Sequence, residues 1–369
     1  MVTTPIYYVN GNPHVGHLYT SLLADSISRW CHLRNIPSYF LTGVDEHGQK
    51  VGQTAEANGI TPKEWCDQMN DQFMDLYRQF DIQADRHIRT TDDDHVKAVQ
   101  HVWRKLVEKG LIYKGKYEGW YCTSDEAFVT ELNTHDVTNP VTGQTEKRTI
   151  DSDKPVHWLV EENYRFRLSA FEKPLLEMYN KHPEMIEPEF RRDEIVQFIK
   201  SGLNDLSVSR KAVKWGIPVP DDPDHTIYVW IDALTNYISA AGYPDLFEDG
   251  ADGQTNKSHW GDYTALPRSE PFTISQVQPN ALHGGVWPAR MHIIGKDIMK
   301  FHCVYWPAFL IGLGVAVPDQ LFVHGWWTKN KMKISKSSGN SFEIGDTLQL
   351  IGGKYNTDAF RYVLMKSRY

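Results

Sequence analysis

The sequence predicts an α/β protein built on a parallel sheet, and the order of segments in its first half supports this. β-Branched and aromatic runs predict strands at 2–9, 37–44 and 86–90. Helical segments follow them, at 14–34, 48–58, 62–80 and 92–109. Because strand and helix alternate, the strands are expected to run parallel and to be joined by right-handed crossovers.

Composition narrows the class of protein. The 369 residues, of which 41% are hydrophobic and 12 are Trp, provide enough core for two or three domains and argue against disorder. The four cysteines include no C-x-x-C pair, which suggests a reducing compartment and no cysteine-built zinc site. No apolar run approaches the ~20 residues of a membrane span. A net charge of −8 neither indicates nor excludes nucleic acid, since an acidic protein can carry a local basic face.

The junction after the first predicted strand combines a helix start with two imidazoles. Asn12 is expected to cap the helix, with Pro13 in its first position. His14 and His17 are three residues apart and share one face of the first turn. Backbone N–H groups and the helix dipole make this a good phosphate site, and Gly16 lets a ligand lie flat on the turn. A helix start with two surface histidines is the alternative interpretation.

Polar residues end the second predicted strand, at the sheet edge where open α/β proteins bind ligands. They are Asp45, Glu46, His47 and Gly48. A carboxylate at Asp45 can cap a helix, bind a metal or pair with a cationic ligand. The position of Asp45 in the sequence does not by itself distinguish these three roles.

The alternation stops near residue 114. Up to about 220, short strand-like pieces and polar turns precede helical stretches near 168–181 and 191–203, which predicts an inserted unit with its own small core. A buried strand is predicted at 226–233, leading into a helix through Ala240. The Gly-, Pro-, Asp- and Ser-rich segment 245–288 is expected to be a surface excursion.

The last part of the chain resumes the pattern with strands at 291–297 and 321–326. Between them a helix is predicted over 298–313, on which Ile298, His302 and Trp306 form one row. A core stripe with a satisfied histidine is the alternative. The segment 329–340 has four lysines, three serines and a glycine. It can be a solvated turn or a mobile cationic loop that neutralises a departing pyrophosphate.

Two of these motifs together resemble the signatures of class I aminoacyl-tRNA synthetases: His-x-Gly-His after the first strand and Lys-Ile-Ser-Lys-Ser at 333–337 after the last. Tyr-Val-Trp-Ile-Asp-Ala at 228–233, Ile-Gly-Lys-Asp-Ile at 294–298 and Phe-Val-His-Gly-Trp at 322–326 are similar to methionyl-tRNA synthetases. The resemblance covers nearly the whole chain. It implies a Rossmann-like, doubly wound parallel sheet split by an inserted connective-peptide domain.

The resemblance implies a division of the chain into a first half of the catalytic domain at 1–113, the insertion at 114–222, the second half at 223–325, and the lysine loop with the start of a stem-contact region at 326–369. It also implies ATP, used with Mg²⁺. The residues implied in catalysis are His14, Gly16, His17, Lys333 and Lys336. Those implied in ATP binding are Asn12, His14, Gly16, His17, Gly295, Asp297, His324, Gly325, Ile334, Ser335 and Lys336.

For L-methionine, the resemblance implies that Asp45 pairs with the α-ammonium group. The implied methionine-binding residues are Ile6, Tyr8, Asp45, Trp230, Ala233, Leu234, Tyr237, Ile298, His302 and Trp306. Their aromatic rings suit a polarizable thioether. Leu234 stands where some relatives have proline, and Ile334 where the family most often has methionine.

Two departures from the family shape the expectations. Many relatives bind zinc through paired cysteines in the inserted domain, whereas the corresponding stretch here has only Cys122, so no zinc is expected. The chain ends at Tyr369, where the family continues into an anticodon-binding domain. We therefore expect a catalytic portion, monomeric as a unit, that contacts tRNA(Met) through its acceptor end. A cytoplasmic location is expected, with a mitochondrial one as the alternative.

Three other functions are weighed against this one. Another amino-acid specificity within class I would keep the mechanism, although a cysteine enzyme would need a metal-binding cysteine cluster that the sequence lacks. Small nucleotidyltransferases also use His-x-Gly-His but are usually shorter and lack the lysine loop and the insertion. A silent RNA-binding homologue has no physical need for His14, His17, Asp45 and Lys336 together.

Overall fold

The computed structural model describes residues 1–123, 127–129, 131–138, 145–150, 153–211, 213–248, 286–325, 328–329, 332–333, 344–353 and 356–366. Its helices are α1 Val15–Leu33, α2 Gln49–Ala57, α3 Pro62–Gln79, α4 Asp93–Glu108, α5 Glu172–Lys181, α6 Glu189–Lys200, α7 Val229–Ser239, α8 Asp245–Glu248, α9 Trp306–Leu313, α10 Ile344–Ile351 and α11 Asn356–Lys366. Its strands are β1 Val2–Tyr8, β2 Phe40–Asp45, β3 Arg86–Arg89, β4 Ile112–Cys122, β5 Ala127–Val129, β6 Thr134–Thr138, β7 Thr145–Thr149, β8 His157–Phe166, β9 Ile186–Glu187, β10 Leu206–Ser207, β11 Ser209–Arg210, β12 Pro218–Val219, β13 Asp222–Ile227, β14 Met291–Gly295, β15 Leu321–His324, β16 Thr328–Lys329 and β17 Met332–Lys333.

A six-stranded parallel sheet organises the molecule, in the order β3-β2-β1-β14-β15-β9. Apolar residues of α4, α7 and α9 pack in one core, and those of α1, α3, α10 and α11 pack in another. Helices therefore cover both faces of the sheet, which buries its central strands. The predicted parallel α/β fold is confirmed.

The edge strand β9 is one element that the sequence did not predict. It has only two residues, and Ile186 and Glu187 pair in parallel with Leu321 and Phe322 of β15. A two-residue strand carries no periodic signal, so only its partner reveals it. It comes from the region expected to be an insertion, which therefore also completes the central sheet.

The region after α4 forms a separate antiparallel sheet in the order β10-β8-β4-β5. Its centre is the long pairing of β4 with β8, from Ile112 opposite Phe166 to Tyr121 opposite His157. The change from parallel to antiparallel pairing agrees with the predicted change of character near residue 114. The domain boundaries themselves stay predictions.

The prediction of a buried strand at 226–233 is wrong. The strand β13 ends at Ile227, and α7 begins at Val229. Trp230, Ala233, Leu234 and Tyr237 follow helical spacing on α7. Because α7 is buried nearly all round, its apolar run resembles that of a buried strand.

The predicted N-cap of the first helix is also wrong. Pro13 precedes α1, Asn12 is exposed, and His14 has the extended backbone of the capping residue. The His14 side chain accepts a hydrogen bond from the Gly16 N–H, and His17 completes a capping box. A histidine Nδ1 atom thus accepts the capping hydrogen bond that a serine or aspartate oxygen usually accepts.

The helix predicted over 298–313 is interrupted by a π-helical turn at Phe301–Tyr305, just before α9. A π turn adds about one residue to the helical repeat and therefore rotates the later residues about the helix axis. Ile298, His302 and Trp306 consequently do not form the simple row that regular 3.6-residue spacing predicts.

Some expectations fall outside the described residues. They include most of the surface excursion predicted at 245–288 and the lysine loop from 334 onward. Among the helices in the described ranges, none is long and apolar enough to cross a membrane. Among the described residues, which include all four cysteines, no disulfide bond forms.

Candidate active site

A cavity of 460 Å³ opens at the carboxyl ends of the central strands. Tyr8 at the end of β1, Asp45 at the end of β2, Gly295 at the end of β14 and His324 at the end of β15 all line it. This is the edge where ligands bind in open α/β sheets. The lining residues are Pro5, Ile6, Tyr7, Tyr8, Asn10, His14, Val15, Gly16, His17, Thr20, Asp45, Lys50, Lys154, Val229, Trp230, Ala233, Leu234, Asn236, Tyr237, Gly295, Asp297, Ile298, His302, His324 and Gly325.

One corner of the cavity is the start of α1. The rings of His14 and His17 stack with 3.7 Å between centroids. The Gly16 N–H donates to His14 Nδ1 at 3.1 Å, and the His14 N–H donates to His17 Nδ1 at 3.2 Å. Because both Nδ1 atoms accept, the hydrogen of each neutral ring is on Nε2. Helix capping therefore sets the tautomer of both imidazoles in a form that can donate to an anion.

Gly16 has a steric role in this corner. A Cβ atom at this position would lie 3.0 Å from Cε1 and 3.1 Å from Nδ1 of His14. Such contacts are tighter than ordinary van der Waals distances, so the His14 ring would have to shift. The glycine keeps that ring in its capping position.

A hydrogen bond joins this corner to the end of β15. Thr20 Oγ1 lies 2.8 Å from Nε2 of His324. Burial lowers the pKa of His324. The start of α1 and the His324–Gly325 stretch therefore form one continuous wall.

Asp45, the last residue of β2, also lines the cavity, and the turn that follows it is held by several hydrogen bonds. Arg89 Nε donates to the Glu46 carboxylate at 2.7 Å, and the Glu46 N–H donates to Thr90 Oγ1 at 3.0 Å. The Gly48 N–H donates to the carbonyl oxygen of Trp215 at 3.0 Å. Asp45 itself is buried. The backbone that follows Asp45 is therefore held by several elements.

The third part of the cavity is apolar. Trp230, Ala233, Leu234 and Tyr237 reach it from α7, and Ile6 from β1. The Trp230 ring stacks on Phe301 with 3.5 Å between centroids. Aromatic and aliphatic side chains therefore surround this end of the cavity.

A buried polar pair lies within this wall. His302 Nδ1 lies 3.0 Å from the carbonyl oxygen of Ile298, and because that oxygen can only accept, Nδ1 carries the ring hydrogen. His302 Nε2 therefore accepts a hydrogen bond from the Tyr237 hydroxyl at 2.7 Å. Burial lowers the pKa of His302 to about 4. Burial raises the pKa of Tyr237. Both groups are therefore neutral at pH 7, as an uncharged ligand side chain requires.

Among the predicted site residues whose side chains the structure describes, all but two line one cavity. Trp306 is fully buried and does not line the cavity; its ring centroid lies 5.8 Å from that of Tyr237 and 6.0 Å from that of Trp287. Asn12 is exposed and does not line the cavity. The roles of the others stay predictions.

Two lysines that the sequence patterns did not indicate, Lys50 and Lys154, also line the cavity. Lys50 comes five residues after Asp45 in the first turn of α2, so it could have been expected near the same sheet edge. Lys154 precedes β8 in the inserted region. No local pattern places it near the central sheet, and only the tertiary structure does so.

The predicted lysine loop is described only at its start. Met332 and Lys333 form β17, which pairs antiparallel with β16. Ile334, Ser335 and Lys336 lie outside the described residues. Among the residues that are described, no group of three or more His, Cys, Asp or Glu side chains could hold a metal ion.

A family model described as tRNA synthetases class I (M) matches residues 1–369. The chain belongs to this family. In this class I tRNA synthetase, residues of the motifs at 14–17, 228–233, 294–298 and 322–326 line the cavity at the edge of the sheet.

Solved and curated relatives agree with this membership. The chain is 41% identical over 366 residues to methionine--tRNA ligase of Thermotoga maritima, covering 99% of this chain and 51% of the relative. It is 43% identical over 369 residues to the mitochondrial methionine--tRNA ligase of Mus musculus, covering 99% and 56%. It resembles the crystal structure of Mycobacterium tuberculosis methionyl-tRNA synthetase bound by methionyl-adenylate with a TM-score of 0.83 and 40% identity, covering 99% and 63%. The chain thus spans 51% to 63% of the length of these three proteins.

Proposed function

We propose that this class I tRNA synthetase chain activates L-methionine with ATP and transfers it to the 3′ end of tRNA(Met). One observation carries the proposal: a single cavity holds the paired imidazoles of His14 and His17, the Asp45 carboxylate and the neutral Tyr237–His302 wall. These suit a polyphosphate, an ammonium group and an uncharged thioether, respectively.

In the first step, a carboxylate oxygen of methionine attacks the α-phosphorus of ATP, and the bond to the β,γ-pyrophosphate breaks. His14 and His17 donate from Nε2 to phosphate oxygens as charge develops on them, and Gly16 keeps the His14 ring in place. Lys336 and Lys333 neutralise the departing pyrophosphate, and Ser335 belongs to the same loop. Mg²⁺ enters with ATP. No side chain acts as a nucleophile, so the protein contributes position and charge.

The nucleoside part of ATP lies along the ends of β14 and β15 in this proposal. Gly295 and Asp297 hold the ribose, and His324, Gly325 and Ile334 flank the adenine. The described members of this set lie on one side of the cavity. The hydrogen bond from Thr20 to His324 fixes that side relative to the phosphate corner.

The amino acid lies at the other end of the cavity. Asp45 pairs with the α-ammonium group of methionine, and the thioether contacts the rings of Tyr8, Trp230 and His302. Shorter apolar amino acids leave part of this space unfilled, which costs ~1–3 kcal/mol for each missing methylene. Trp306 supports the wall from behind through Tyr237.

In the second step, a hydroxyl of the 3′-terminal ribose of tRNA(Met) attacks the carbonyl carbon of the mixed anhydride, and AMP leaves.

The insertion at 114–222 separates the two halves of the catalytic domain at 1–113 and 223–325 in this proposal, and 326–369 begins the stem-contact region. We also propose a monomeric catalytic unit without structural zinc, since Cys122 is the one cysteine in the stretch where many relatives have paired cysteines. Relatives include mitochondrial and bacterial proteins, and a cytoplasmic location is the one proposed here.

The test is amino-acid-dependent ATP–pyrophosphate exchange without tRNA, with methionine, cysteine and the other apolar amino acids compared. Exchange with methionine alone is expected. Exchange with a different amino acid would keep the mechanism and overturn the assignment of the pocket. The absence of exchange with every amino acid would overturn the activity of this chain.

Lys336→Ala tests the loop within the same assay. It should lower the rate of adenylate formation by about a hundredfold or more, because the charge on the pyrophosphate is no longer neutralised. Methionine binding should change little. Lys97→Ala, which removes an exposed lysine paired with Asp245, is the matched control. A loss of methionine affinity at unchanged rate would contradict the role assigned to Lys336.

A further inference from the structure

Asp232 is a fully buried carboxylate that does not face the cavity. Its Oδ2 accepts a hydrogen bond from His47 Nδ1 at 2.6 Å, and its Oδ1 accepts from His95 Nε2 at 2.8 Å. His95 Nδ1 lies 3.0 Å from Ser239 Oγ. Asp232 and both histidines are buried, so these bonds are shielded from water.

The three side chains come from three separate elements. Asp232 lies on α7, His95 on α4, and His47 on the turn that connects β2 to α2. The cluster therefore joins parts of the chain that are 137 and 185 residues apart in sequence. We name it the Asp232 cluster.

Each end of the Asp232 cluster is adjacent to a wall of the cavity. His47 is two residues after Asp45, on the turn that connects β2 to α2. We call this segment, residues 45–48, the Asp45 turn. Asp232 lies between Trp230 and Ala233 on α7, and both of these side chains line the cavity. The hydrogen bond between His47 and Asp232 thus connects the Asp45 turn directly to the apolar wall.

The charge of Asp232 makes this connection strong. Burial by itself raises the pKa of a carboxyl group, but His47 and His95 outweigh that effect and hold the pKa of Asp232 below its usual value. The group is therefore an ionised carboxylate in a low-dielectric interior. Such an ion cannot give up its partners without a large cost, so the two histidines and α7 are held together.

We propose that Asp232 is a positioning residue for the amino-acid site, holding α7 and the Asp45 turn at the separation that methionine requires. The inference rests on the proposed function, because it concerns the ammonium and thioether ends of the same ligand. If the cluster is broken, α7 and the Asp45 turn can move apart. The nucleotide side has a connection of its own, the hydrogen bond between Thr20 and His324 that joins it to α1.

The primary test is Asp232→Asn, which keeps the size of the side chain and removes its charge. One amide atom can still accept from a histidine, but the NH₂ group cannot accept from the other. The KM for methionine in pyrophosphate exchange should rise by about tenfold to a hundredfold, since a shift of about 1 Å has effects of this size. The KM for ATP should stay within about twofold of the wild-type value.

Asp25→Asn is the matched control. Asp25 is also a fully buried carboxylate, on α1, where it pairs with Arg29 at 2.8 Å and with Arg361 at 3.1 Å. It does not line the cavity. This change should lower the melting temperature without raising the KM for methionine, so a selective effect of Asp232→Asn cannot be ascribed to lost stability alone.

A second variant, His95→Gln, approaches the cluster from α4 and retains a neutral donor. It should raise the KM for methionine in the same direction but less than Asp232→Asn does, and it decides the question where Asp232→Asn does not fold. An unchanged KM for methionine in a folded Asp232→Asn or His95→Gln protein would overturn the positioning role. If the wild-type chain shows no methionine-dependent exchange at all, the proposed function fails instead.

Discussion

At the scale of single residues, His14, Gly16 and His17 link helix capping to chemistry. The same Nδ1 atoms that accept the capping hydrogen bonds leave the hydrogens of both neutral rings on Nε2. The motif is therefore both a helix start and a pair of oriented donors. The two interpretations of the sequence pattern are not exclusive in this protein.

Gly16→Ala should separate these two properties. The added Cβ presses on the His14 ring, so the rate of adenylate formation should fall by about tenfold or more. Stability should change by less than about 1 kcal/mol, since alanine favours helix and the exposed ring can move. Steady-state exchange kinetics and urea unfolding measure the two effects.

Gly345→Ala is the control for this change, because α10 leaves open space around that position. It should preserve activity. A Gly16→Ala protein with wild-type rates would contradict the steric role assigned to the glycine.

At the scale of elements, β2 shows how closely the central strands are packed. Gly43 on β2 pairs with Ile6 on β1 and with Ile88 on β3. A Cβ at Gly43 would overlap the carbonyl oxygen of Ile88 and would lie 2.7 Å from its Cγ2 atom. The overlapping atom is backbone, so a rotamer change cannot relieve the contact. The glycine allows β3 to pair closely enough to hold Arg89 near Glu46.

Gly43→Ala is therefore expected to lower the free energy of unfolding by about 1–3 kcal/mol, as overpacking of a close-packed interior usually does. Urea unfolding followed by circular dichroism measures the change. Gly52→Ala on α2 is the contrasting variant: its Cβ would meet only Trp215 Cβ at 3.8 Å, and it should stabilise the helix by about 0.5–1 kcal/mol. Equal stability of the Gly43→Ala and wild-type proteins would show that β3 can move aside.

At the scale of the whole molecule, several histidines are buried in the neutral form. Burial lowers the pKa of His302 and of His87 to about 4, and it lowers the pKa of His292 well below its usual value. These three residues belong to different elements, so folding of the entire chain is what keeps them neutral. Protonation of the unfolded chain therefore competes with folding in acid.

The free energy of unfolding should fall as the pH drops from about 6.5 to about 4. In this window the unfolded chain binds protons at these histidines and the folded chain does not, so stability rises with pH. Each histidine contributes at most about 1.4 kcal/mol per pH unit. Urea unfolding at several pH values should show a smaller slope for His87→Gln than for wild type. An identical slope for the two proteins would contradict the assignment.

Much of the fold and of the candidate site could be predicted from the sequence. The strands β1, β2 and β14 carry strong local patterns, and their polar ends had to meet at one edge because parallel strands share a direction. This reasoning already brings His14, Asp45 and Gly295 together. Local propensity was less informative for α7, since a helix buried all round has an apolar run like that of a buried strand.

The remaining features depend on contacts between distant segments, and only the tertiary structure decided them. Lys154 enters the cavity from the inserted region, and Trp306 packs against Tyr237 and Trp287 outside the cavity. The Asp232 cluster joins three elements in the same way. Each of these is set by packing across large sequence separations, for which neighbouring residues along the chain carry no signal.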